Sequence, residues 1–253
     1  LGDNVTVGAY AIIEDDVVVG SGSSIAPHAV LRNGTTVGRD CQFHAGAIIG
    51  GEPQDLSFGG ETSYVKIGDR SVFREYVTIH RGTGAETSTV VGDDCFLMAM
   101  CHLGHNCRIG NNVIMGNNTL LAGHVSIADR AILSGACMVH QFVRVGMLGF
   151  MAGGVRINKD LPPYMLAIND NTVGSLNRVG IKRAGFSKET YAAIKAAYSK
   201  LYRSGLNLTQ ALAEVEEEFG SVPEIRLLID FMQSSERGVC SNRSNHSRSG
   251  DPV

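Results

Sequence analysis

Much that would announce a function simply is missing from this chain. There is no tryptophan, no CxxC pair, and no apolar run long enough to span a bilayer. The last absence excludes a membrane-crossing helix from the residues given. Charge of neither sign dominates: 22 Lys and Arg stand against 25 Asp and Glu, a net −3, so the basic excess that a nucleic-acid partner requires is not there. Six cysteines, at 41, 95, 101, 107, 137 and 240, do not form a redox or zinc motif. Cys95, Cys101 and Cys107 are spaced by six and follow a repeat, so they read as buried free thiols of a reducing compartment. The chain begins at Leu1 without a methionine, so a segment upstream is expected.

What the chain has in quantity is glycine, 31 residues of it, and a six-residue period. Every sixth residue from Leu1 through Val7, Ile13, Val19 and onward to Ile49 is apolar. The series resumes at Ile67, Phe73 and Ile79, and again from Val91 through Leu97, Leu103 and Ile109 to Ile157. Six is not a helical spacing that keeps one face. The period predicts a solenoid of short parallel strands in which each aliphatic residue points inward and stacks on its copy in the next coil. Glycine and asparagine are expected to supply the corner conformations. Two stretches lose the mark, 52–66 and 84–90, and read as loops thrown out on a working face.

The repeat, residues 1–163, stops at "INKDLPPYM", where Pro162 and Pro163 cannot continue a ladder. The remainder, 164–238, reads as a linker and a helical domain. Ser187 caps a first helix that stops at Gly205, "LTQALAEVEEEF" forms a second, and Pro223 opens a third. The polar tail, 239–253, reads as disordered.

The stretch "AMCHLGHNCRIGNN" holds His102 and His105, which the residues alone leave open as metal ligands, as a base with its neighbour, or as ornaments of the repeat. If three hexads make one triangular coil, residues 18 apart stack. His105 then lies beneath Gly123, and Gly123 beneath Gln141. Gly104, Ala122 and His140 form the row on one side, and Asn106, His124 and Phe142 the row on the other. His80 joins the row of His140. Imidazoles gathered on one strip of an apolar scaffold favour a site over packing. A histidine is the natural general base, and the N–H of Gly123 could donate to a developing oxyanion.

The motifs "DLSFGGET", "GDRSVFREYVTIHRGT", "HLGHNCRIGNN", "LAGHVSIAD", "VHQF", "DLPPY" and "IKRAGFS" closely resemble, in order, the UDP-N-acetylglucosamine 3-O-acyltransferase family of lipid A synthesis. The resemblance covers residues 1 to about 238. It implies a mainly β chain, a left-handed parallel β-helix of hexapeptide repeats followed by a C-terminal helical domain. It also implies a homotrimer with sites between subunits and direct transfer of an (R)-3-hydroxyacyl chain from acyl carrier protein to the sugar 3-hydroxyl, without a cofactor, a metal or a covalent intermediate. By position, His105 matches the base, Gly123 the oxyanion donor, and Asn106 the residue that orients the base. Asp55, His80, His102, His124, His140 and Gln141 match the lining of the sugar and acyl cleft, and Asn177 and Arg183 match nucleotide contacts. Gly153 matches the position that limits acyl length. A bare glycine there implies a donor of about fourteen carbons over about ten, at ~0.8 kcal/mol per buried methylene.

The chain departs from the family's pattern at four places: Asn106 stands where an aspartate is usual, Ser57 for a lysine, Val179 for a glutamate and Ala184 for an arginine. The alternatives are a solenoid that has lost activity, the acyltransferase that N-acylates the glucosamine product, and a γ-class carbonic anhydrase, which would want two histidine ligands five apart. The compartment expected is the cytoplasm of a bacterium or, for a plant relative, an organellar matrix such as the mitochondrion.

Overall fold

The computed structural model describes residues 1–242. Strands of two to five residues stack in parallel into three sheets. The first face runs from Thr6–Val7 through Phe96–Leu97 to Phe150–Met151, and the second from Ile12–Ile13 through His102–Leu103 to Arg156–Ile157. The third runs from Val18–Val19 through Arg108–Ile109 to Arg144–Val145. The register is the one the period demands: His102 pairs with Leu120 and Leu120 with Met138, each 18 residues on. The three faces close a left-handed parallel β-helix.

Leu97, Leu103, Met115, Leu121 and Leu133 are fully buried in its narrow interior. Phe43 and Phe73 stack there at 5.0 Å. The thiols of the coil sit at its corners, Cys240 lies beyond the last described helix, and all six are buried and unpaired with one another. Cys101 and Cys107 donate to the carbonyls of Gly116 and Ala122 in the next coil, and burial pushes them up to about 11 and about 12.

Asparagine and glycine do take left-handed corners, at Asn106, Asn112, Asn118, Gly22, Gly34, Gly46 and Gly154, but other residues take them too. From Asp94 to Leu148 every sixth residue has a positive φ, and none is glycine: Met100, Asn106, His124, Ala136 and Phe142 are among them. A left-handed residue costs about 1–2 kcal/mol. Burying the next inward aliphatic side chain contributes about 1.5–3 kcal/mol, which is why the coil tolerates side chains there. The glycine that follows the inward aliphatic has another reason to exist. A Cβ at Gly110 would lie 2.8 Å from the backbone nitrogen of Asp129, and one at Gly116 would lie 2.4 Å from that of Gly135. Close approach of successive coils, and not φ, selects glycine at this place.

Both expected loops leave the second face and return on the third. They rejoin the ladder sooner than the lost apolar mark suggests, because Tyr64 pairs with Ser88 and Val65 with Thr89. The corner they overhang is the corner of His105.

Beyond Pro162 and Pro163 the chain is not immediately helical. Met165–Asn169 and Thr172–Leu176 form an antiparallel hairpin that extends the first face. Four helices follow among the described residues: α1 (Arg178–Arg183), α2 (Lys188–Arg203), α3 (Leu208–Phe219) and α4 (Pro223–Gln233). Ser187 caps α2 through Thr190, while α3 carries a full capping box from Asn207 and Gln210. Tyr164, at the start of the hairpin, is fully buried, and its hydroxyl donates to Glu224 O of α4. The reading of 239–253 as disordered fails for its first residues. Val239 bridges Asp160, Ser241 bridges Thr172, and Cys240 is fully buried. Residues 243–253 lie outside those described.

Candidate active site

His105 stands at the turn between His102–Leu103 and Arg108–Ile109 and is 8% exposed. Its Nδ1 lies 2.9 Å from Asn106 Oδ1, and the same oxygen accepts the backbone N–H of Thr83 at 2.8 Å. That second bond fixes the amide: the atom facing Thr83 N must be the acceptor. Nδ1 of His105 therefore carries a proton, and in the neutral imidazole the lone pair is on Nε2. Thr83 escaped the sequence reading because a backbone contact leaves no side-chain signature.

The lone pair of Nε2 meets two groups. Asp55 Oδ2, from the loop that follows Gly51, is 3.6 Å away, close enough for both groups to reach one hydroxyl placed between them. Asp55 Oδ1 is taken by the backbone N–H and hydroxyl of Ser57, at 2.9 and 2.8 Å, and these bonds hold the carboxyl below its ordinary range. Ser57 thus occupies Oδ1 and leaves Oδ2 facing His105. The other group is Gly123, one coil above. A Cβ there would lie 2.4 Å from Nε2. The Gly123 N–H finds no hydrogen-bond acceptor among the described residues and is available to an oxyanion.

The other histidines form two edge-on pairs. His105 meets His124 at 5.1 Å, and His124 stacks on Phe142 at 4.7 Å. His80 meets His102 at 4.8 Å, and Thr78 Oγ1 lies 2.8 Å from His102 Nδ1. Burial lowers the pKa of His102 and His124, and burial with the neighbouring His102 and His105 takes His80 down to about 4. An unfolded chain protonates His80 near 6.5, so between about pH 6.5 and about pH 4 the unfolded state binds more protons and stability falls as the pH drops. The urea midpoint of the wild type is expected to fall further across this window than that of His80→Gln. Equal slopes would remove His80 from the neutral set.

His140 and Gln141 sit one coil further on. His140 is exposed, with Nδ1 3.3 Å both from Gln141 O and from Arg237 Nη2. Gly153 is at a different corner, between the first and second faces, and lies across the second face from His105. Arg183 is exposed at the end of α1. Asn177 departs from the expected nucleotide contact. It is 4% exposed and caps α1, its Oδ1 accepting from Gly180 N at 2.9 Å and its Nδ2 donating to Leu148 O at 2.9 Å. Its side chain is engaged inside the fold and sets where α1 presents Arg183.

Proteins already known carry the same combination of coil and helices. The bacterial transferase hexapeptide family matches residues 1–33 and 88–123, and the second domain of UDP-N-acetylglucosamine O-acyltransferase matches residues 160–240. An acyl-[acyl-carrier-protein]–UDP-N-acetylglucosamine O-acyltransferase of Stenotrophomonas maltophilia is 42% identical over 241 residues, 94% of this chain and 91% of the relative. A solved UDP-N-acetylglucosamine acyltransferase from Bacteroides fragilis superposes with a TM-score of 0.90 at 41% identity, over 94% of each chain. One from Arabidopsis superposes with 0.86 at 31% identity, over 94% of this chain and 95% of that one. Repeat, hairpin, helices and histidine corner all fall within these matches, and the chain belongs to the UDP-N-acetylglucosamine O-acyltransferase family.

Proposed function

We propose that this chain transfers an (R)-3-hydroxyacyl group from acyl carrier protein to the 3-hydroxyl of UDP-N-acetylglucosamine, the first step of lipid A synthesis. The observation that carries the reading is the bare Nε2 of His105 set against the unpaired N–H of Gly123. Nε2 takes the proton of the sugar hydroxyl as its oxygen attacks the thioester carbonyl. The oxyanion forms toward the N–H of Gly123. The C–S bond then breaks, and the leaving thiolate takes the proton back from the imidazolium. No cysteine serves as nucleophile, because the thiols are buried with raised pKa values. Asp55, His80, His102, His124, His140 and Gln141 line the cleft, and Arg183 faces the nucleotide. Asn106, a neutral amide, orients the base but stabilises imidazolium less than a carboxylate would.

The assembly proposed is a cyclic homotrimer. The first face turns Phe96, Ile114, Ile132 and Phe150 outward, and the second turns out Ile12, Ile48, Leu120 and Met138. The third shows Thr36, Lys66, Arg108 and Ser126 to solvent. Two faces with apolar stretches and a third that is mostly polar suit a ring in which each subunit sets its first face against its neighbour's second. Among the described residues no helix is long and apolar enough to cross a membrane. The compartment we favour is a bacterial cytoplasm or an organellar matrix.

Acyl length is assigned to Gly153. A Cβ there would meet only Gly135 O, at 3.5 Å, and the φ is not positive, so a side chain can start there without backbone strain, beside the groove left by the two stacked glycines. Gly153→Met is expected to shift the product ratio from about fourteen toward about ten carbons, a difference of up to ~3 kcal/mol over four methylenes. Competition between the two donors, read by mass spectrometry, checks this; an unchanged ratio would clear Gly153 of the role.

The reading as a whole is tested by incubating the purified protein with UDP-N-acetylglucosamine and hydroxyacyl carrier protein, with and without chelator. A 3-O-acyl product formed equally in both supports it. No transfer, or hydration of carbon dioxide lost on chelation, would return the chain to one of the alternatives.

A further inference from the structure

The loop that brings Asp55 to His105 has no ladder of its own between Gly51 and Tyr64. Something must hold it. Arg81, the residue after His80, lies under it with its side chain only 16% exposed. Its backbone N–H donates to Gly51 O at 2.9 Å, at the base of the loop. Its guanidinium sits 5.3 Å over the ring of Phe58, and Nη2 reaches Glu52 Oε1 at 3.6 Å. Glu52 and Phe58 are the third residues before and after Asp55. One side chain thus grips the loop on both flanks of the carboxylate. Nε of Arg81 is buried without a partner among the described residues, a cost borne where the grip is made.

We infer that Arg81 is a positioning residue that acts through Asp55, fixing the carboxylate beside Nε2 of His105 by clamping Glu52 and Phe58. This rests on the reading of Asp55 as part of the site. A planar guanidinium can lie on the Phe58 ring while its edge turns to Glu52; an ammonium has no such plane. Asp55 reaches His105 only as far as its loop is held, and a displacement of about 1 Å in a reacting group can cost about a hundredfold in rate.

The test is a double-mutant cycle on the full chain, with kcat/KM for the sugar nucleotide as the readout and sedimentation and Tm as folding controls. Arg81→Ala, Arg81→Lys and Asp55→Asn are each expected to lower kcat/KM by about 10–100-fold. In the Asp55→Asn background either Arg81 variant should cost less than about threefold more, because the group it positions is already gone. Phe58→Ala should be masked in the same way. If Arg81→Ala fails to fold, the Arg81→Lys cycle decides. Penalties that multiply would mean that Arg81 acts independently of Asp55, for example directly on a phosphate, and would overturn the inference while leaving the reading of the site intact. An Asp55→Asn variant as active as the wild type would remove Asp55 from the site and the inference with it, without touching His105.

Discussion

His105→Ala is expected to lose acyl transfer by about 10²–10⁴-fold while the protein stays folded. The size follows from what is removed. Nε2 is placed to accept the sugar proton, with Nδ1 held as donor by Asn106. The neighbouring His124 is not oriented to take over, since its ring stacks on Phe142 and meets His105 edge-on. The fold survives because His105 sits at a turn and not in the aliphatic interior. Its loss vacates one bond of Asn106 and leaves that from Thr83 in place. Sugar-nucleotide affinity should change little, so the defect should fall on kcat and not on KM. Near-native kcat in a direct transfer assay would move the base elsewhere.

Gly123→Ala should be nearly as damaging, by about 10² or more, from a single methyl group. The added Cβ would stand 2.4 Å from His105 Nε2 and 2.6 Å from Cε1. The backbone of Gly123 does not have a positive φ, so alanine brings no conformational strain, and the nearest conflict is with the imidazole. Either the ring swings out of line with Asn106, or the methyl occupies the place of the attacking oxygen. Both stop transfer. Because both act through His105, the double variant His105→Ala/Gly123→Ala should be no slower than His105→Ala alone. A Gly123→Ala enzyme with unchanged kcat would show that Nε2 does not face the reacting hydroxyl.

The repeat made much of this legible beforehand. A period of 18 fixes register, and register put His105 under Gly123 and Ala122 under His140 before any coordinates. What the period could not carry lies off it. Asp55 rides a loop whose path depends on Arg81 and Phe58, and no spacing relates it to His105. The hairpin of Met165–Asn169 and Thr172–Leu176 follows two prolines and breaks the hexad, so its pairing with the first face has no local signature. Asn177 carries the residue type of both a ligand contact and an N-cap, and only the bond to Gly180 N separates them. Glycine was assigned to turn conformation, which holds at Gly22, Gly34, Gly46 and Gly154, whereas the glycine after the inward aliphatic is set by the next coil, a long-range contact invisible in the hexad itself.

Which nitrogen of His105 holds its proton decides the chemistry, and nitrogen NMR of the ¹⁵N-histidine-labelled protein reads it directly, with His105→Ala assigning the signal. The structure predicts that Nδ1 of His105 holds a proton toward Asn106, so that Nε2 is the nitrogen that exchanges its proton, unchanged when the other histidines are replaced one at a time. A neutral His105 found with its proton on Nε2 would contradict the account, because the atom facing Asp55 and Gly123 could then donate a proton but not take one.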